Sequence, residues 1–130
     1  MTHLLTDIMW ADEIVRPCKD KFKSLYDKDW TEWIWTLKKD WYDLDFLYIK
    51  RNPNFSSFSI YKNAVGFINN YMGFFSNDAF ENRRKYITDF YSGKRENLER
   101  EYTYLKEEEM DRFVDESAEK ISRILYEKYL

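Results

Sequence analysis

Apolar residues recur along most of this chain at steps of three and four, the spacing of one helix face, and only briefly at the step of two that marks a strand. Leu4, Ile8, Ala11 and Val15, with Leu5 and Met9 beside them, set the first stripe and predict an amphipathic helix over about 6–16. Pro17 is expected to end or bend it, because proline lacks an N–H donor and its ring meets the carbonyl four residues back. Proline also suits the first turn of a new helix, and Phe22, Leu25 and Tyr26 give 17–26 a stripe of its own. The two pieces read as one bent helix or as two.

Asp29 is placed to cap a helix, with Glu32 three residues later in the capping-box position. The series Trp33, Leu37, Trp41, Leu44 and Tyr48 follows, and a second series, Trp35, Tyr42, Phe46 and Ile49, lies on another face. A stripe that wide predicts a helix with two partners or a central place. Residues 51–57 collect the polar and proline residues of a loop. Phe58 and Ile60 alternate with serines, but Ile60, Ala64, Phe67, Ile68 and Tyr71 continue at helical spacing, so a helix from Ser57 is favoured over a hairpin. Gly73 and the Ser76-Asn77-Asp78 cluster mark a turn and a cap, after which Phe80, Ile87, Phe90 and Tyr91 line a helix ending at Gly93. Residues 94–130 contain neither Gly nor Pro and read as one very long helix, or two parted near 107–111 where the stripe weakens.

These elements predict an all-α fold, a small bundle of about five helices with a long C-terminal helix, in a single domain over 1–130. A short β-hairpin near 46–61 is the minor alternative. Composition agrees: three Gly and two Pro leave too little turn punctuation for a many-stranded sandwich, and 44% hydrophobic residues suffice for one core. Charged residues make up 35%, above the usual share of about 25%. The N-terminus lacks a basic segment before its apolar residues, no apolar run approaches the roughly 20 residues of a membrane span, and Cys18 is the lone cysteine. A cytoplasmic protein without membrane contact is expected.

Chemistry is thinly represented. The single histidine, His3, is terminal, so no base stands ready for a nucleophile. Cys18 lies beside Lys19 and Lys21 but also where a helix would bury it. Asp40, Asp43 and Asp45 cluster on one helix, and Asp40 with Asp43 share a face, so a metal-dependent hydrolase is one alternative. No Glu-x-x-His repeat completes a di-metal site, and the acidic run at 107–111 lacks the glycine of a calcium loop. The three glycines are too scattered for a phosphate-binding loop. Neither a metal nor a cofactor is expected, and the chain reads as non-enzymatic.

Net charge is −3, but it is polarised: 81–95 carries five bases against two acids, and 96–119 ten acids against three bases. Arg83, Arg84, Lys85 and Tyr86, with Lys94 and Arg95, form the most site-like group. The turn at 73–76 between two helices suggests a helix-turn-helix, making a small nucleic-acid-binding regulator another alternative. The plainer role is to neutralise the acidic C-terminal helix, in the same chain or in a dimer partner. Five Trp, eleven Tyr and ten Phe amount to 20% of the residues, a surplus that points to rings on the surface, where aromatic side chains dominate protein interfaces. Trp35 and Tyr42 are the candidates for that second face. The expected function is a protein-interaction module, partner-binding through Trp35, Tyr42 and the basic group, as a homodimer or with another protein. The Lys- and Asn-rich composition suggests a phage or mobile-element regulator that inhibits a host protein.

Overall fold

The computed structural model describes residues 2–70 and 72–129, and among them every regular element is helical. In chain order these are α1 (Thr2–Trp10), a π-helical turn (Ala11–Val15), α2 (Arg16–Lys21), α3 (Lys23–Lys28), α4 (Trp30–Arg51), α5 (Ser56–Asn63), α6 (Ala79–Ser92) and α7 (Glu107–Tyr129). The all-α expectation holds, long C-terminal helix included. Residues 46–61 fall in α4, a short turn and α5, so the hairpin alternative is set aside.

Pro17 explains the first irregularity. It sits in the first turn of α2, and just before it the Arg16 N–H reaches the carbonyl of Ala11, five residues back. The widened turn gives the proline ring room without stopping the helix, so α1 and α2 run on as one path. Phe22, with φ −112° and ψ 34°, breaks the path before α3. Asp29 is extended and caps α4: its Oδ1 accepts the N–H groups of Thr31 and Glu32 at 2.9 and 3.0 Å. Its own N–H donates to the Leu25 carbonyl at 2.8 Å and closes α3, which leaves no donor for the Glu32 carboxylate and halves the expected capping box.

Contacts gather the chain into two compact units, Met1–Leu44 with Arg100–Leu130, and Asp45–Glu99. In the first, Ile14, Trp33, Leu37, Leu105, Phe113 and Ile121 are buried, and the Trp10 ring meets Trp41 at 4.6 Å and Phe113 at 5.1 Å. In the second, Phe46, Leu47 and Leu98 are buried, with the Phe46 ring 5.4 Å from Phe90 and 5.3 Å from Tyr91.

Two stretches read as helix are not. Residues 94–106 form no helix, although nothing in their composition forbids one. Asn97 turns left-handed at φ 56°, and Arg100 and Tyr104 are drawn onto the α4 carboxylates in the same unit. Tertiary bonds outweigh local propensity there. The Lys106 N–H donates to Glu109 Oε2 at 2.9 Å and starts α7. The other stretch is 64–78: α5 stops at Asn63, Val65 folds back onto the Asn63 carbonyl, and Gly66 takes φ 75°, a conformation disfavoured for any other residue. Of the apolar series predicted to extend that helix, Tyr71 lies outside the described residues.

Candidate interaction surface

The sequence-predicted site residues divide between the two units. Trp35, in the first, is 59% exposed with the Lys38 ammonium 4.9 Å over its ring. Tyr42 is half-buried and stacks on Trp41 at 5.5 Å, so its ring is largely engaged within the unit.

The basic group lies in the second unit and is partly used there. Arg84 pairs with Glu81 and also donates to the carbonyl of Lys62, tying α6 to the end of α5. Lys85 bonds Asp89 at 2.6 Å. The Arg95 guanidinium lies over Phe46 and Phe90 at 5.0 and 5.4 Å. Arg83 lies 5.2 Å over the exposed Tyr86 ring, and Arg83 and Lys94 carry no ion pair among the described residues. The helix-turn-helix layout is not present. The helix before α6 ends at Asn63, and the irregular segment 64–78 replaces the three- or four-residue turn such a motif needs.

That segment is the feature the sequence did not reveal. Val65, Phe67, Ile68, Met72, Phe74 and Phe75 all stand out into solvent, with Phe74 at 80% and Ile68 at 73% exposure. It has local supports: the Asn69 side chain donates to the Met72 carbonyl and accepts the Met72 N–H, at 2.8 and 2.9 Å. Phe80, in the first turn of α6, holds the Phe67 and Phe75 rings at 5.1 and 5.9 Å. Each of these six side chains, between 43% and 80% exposed, would release part of the roughly 1.5–3 kcal/mol that complete burial yields. Together that rivals the about 4–15 kcal/mol that association costs in lost freedom. Periodicity could not show this, because apolar residues at helical spacing are expected to face a core.

The acidic cluster serves the fold. Asp40 Oδ1 and Asp43 Oδ2 both accept from Arg100 Nη2 at 2.7 Å, and Asp40 Oδ2 accepts the Tyr104 N–H at 2.7 Å. Lys39 adds a bond to Asp43 at 2.8 Å. Burial alone would raise the Asp43 carboxyl, but Lys39 and Arg100 outweigh it and hold it below its ordinary value. Asp45, in the second unit, accepts the Tyr91 hydroxyl at 2.6 Å, and burial pushes it up to about 6 against that bond. Among the described residues no three His, Cys, Asp or Glu side chains converge as a metal would require.

Nucleophilic chemistry finds little support in the geometry. Cys18 is buried, and desolvation pushes its thiol up to about 11, offset only in part by the Trp33 indole and the Lys21 charge. A thiol so shifted holds almost no thiolate at neutral pH. It lines a cleft of about 70 Å³ with Ile14, Pro17 and Leu105, far below the roughly 300 Å³ of a small-molecule site. His3 is largely exposed and lies 3.4 Å from Asp7. No described helix is long and apolar enough to cross a membrane. Comparison with known proteins finds no matching family model, no similar curated protein and no similar solved structure.

Proposed function

We propose that this chain is a non-enzymatic protein-interaction module whose contact surface is the apolar segment 65–75, with Arg83 and Tyr86 on the neighbouring face of α6. The observation that carries this is the set of six large apolar side chains left in solvent on a locally supported loop. Isolated surface apolar residues are common, but a contiguous group of this kind marks an interaction site. Arg84, Lys85 and Arg95 are engaged inside their own unit, which favours a protein partner over a phosphate backbone. A regulator that acts by occupying another protein's surface, such as a phage or mobile-element inhibitor of a host protein, fits this chemistry.

The test is affinity capture with the full chain beside its Ile68→Ser/Phe74→Ser variant, read by mass spectrometry. A stable partner, a second copy included, that is retained by the parent chain and lost by the variant is the expected result. Equal retention by both, or no partner with either, overturns the proposal.

A further inference from the structure

Within the second unit, α5 and α6 are the two arms that present the apolar segment, and they are tied to each other. Arg84 of α6 donates to the Lys62 carbonyl on α5, the Phe58 ring of α5 lies 6.1 Å from Tyr91, and Phe80 holds Phe67 and Phe75 between them. The last turn of α6 fastens these arms to α4. There the Phe46 ring meets Phe90 and Tyr91, and the Tyr91 hydroxyl donates to Asp45 at 2.6 Å. Among the described residues that phenol is the one hydrogen-bond donor to the Asp45 side chain. A part-buried carboxylate beside aromatic rings loses water that one phenol does not replace, whereas the neutral acid keeps the same bond and carries no charge. The charges on the packed elements do not answer it. On α6 Asp89 pairs with Lys85, and after α6 Arg95 lies over Phe46 and Phe90 while Glu99 pairs with Lys50 and Arg51 of α4. Lys62 of α5, with Lys94 and Glu96, stands out in solvent. On α4 itself Asp43 is answered by Lys39 and Arg100. Burial and the Tyr91 bond are what act on the Asp45 carboxyl, and burial prevails, pushing it up to about 6.

We propose that Asp45 is a pH-operated latch: its protonated carboxyl holds the Tyr91 end of α6 closed on α4, and its ionisation loosens the α5–α6 arms that carry the apolar segment. Opening returns the carboxyl to water and to its ordinary value of 3.8. Closure is therefore firmest below 3.8, weakens as pH rises from there, and levels off above about 6. Between pH 7 and pH 5 the closed state should gain about tenfold over the open one. Because Phe80 rides on α6, the segment rings it holds move with the latch. The device operates without a partner, so it stands apart from the interaction reading above.

The experiment is amide hydrogen exchange on the full chain, with protection corrected for the pH dependence of intrinsic exchange. Amides in the second half of α6 should be about tenfold better protected at pH 5 than at pH 7, and those of α7 should not follow. Asp45→Asn should show the acid-like protection of α6 at both pH values. Tyr91→Phe removes the donor that relieves the anion, so its α6 should be less protected than the parent's at pH 7 and its pH dependence should widen. The Asp45 carboxyl carbon of the parent, followed by NMR, should titrate well above 3.8, a measurement that needs no variant. Equal protection of α6 at the two pH values overturns the latch, as does an Asp45→Asn chain that keeps the parent's pH dependence. So does a change shared in full by α7, which would make the effect one of global unfolding, or a carboxyl carbon that titrates at the ordinary value.

Discussion

The unit around Arg100 keeps its charges inside, whereas the unit around residues 64–78 leaves its apolar side chains outside. Asp43 and Asp45, two residues apart on α4, show the contrast at close range. Asp43 meets two cations and is held below its ordinary value, while Asp45 meets a phenol and is pushed up to about 6. One carboxylate stays charged because its charge is answered; the other is destabilised as an anion because it is not. The first unit answers its buried charges within itself, and the second leaves large apolar side chains in solvent.

The contrast is broken most forcefully at Arg100. Arg100→Ala leaves Asp40 and Asp43 buried without their shared partner and should cost about 3–5 kcal/mol in urea unfolding. A small change would mean that water reaches these carboxylates and that the first unit is not closed around them.

Asp45→Asn should act in the opposite direction. The amide still accepts the Tyr91 hydroxyl but carries no charge, so at a pH well above 6 the variant should be more stable by about 2–3 kcal/mol. The sign follows from the raised folded-state value. The cost of holding the anion is complete above about 6, shrinks as pH falls, and is gone below the ordinary value of 3.8. Unfolding of both chains across that window should show the difference closing on acidification; a constant difference contradicts the assignment.

Asp29→Ala removes the acceptor for two N–H groups and should cost about 1 kcal/mol, read as a lowered Tm. The smallest effect belongs to the loop. Ile68→Ser and Phe74→Ser should each shift stability by no more than about 0.5 kcal/mol, since neither side chain is enclosed. A loss of several kcal/mol would place these residues in a core.

The sequence conveyed the parts of the fold that rest on local rules. Asp29 as a cap and the break at Asn52 and Pro53 follow from capping and turn chemistry within a few residues, and α6 lies between Asp78 and Gly93 as read, although Asp78 makes no side-chain cap bond. Residues 94–106 were not legible, because the bonds that unwind them come from Asp40, some 60 positions earlier in the chain. The end of α5 turned on Gly66, whose positive φ nothing in the hydrophobic pattern announces. Of the rings expected on the surface, Trp35 is there, but Tyr42 is stacked and half-buried. The phenylalanines of the 64–78 segment hold the place instead, and a Phe by itself gives no sign of which side of a fold it occupies.

Hydroxyl-radical footprinting of the free chain tests the central claim most directly. Phe67, Phe74 and Phe75 should be labelled readily, while Phe113 stays protected. Protection of the three loop rings equal to that of Phe113 would place them in an interior and contradict the account.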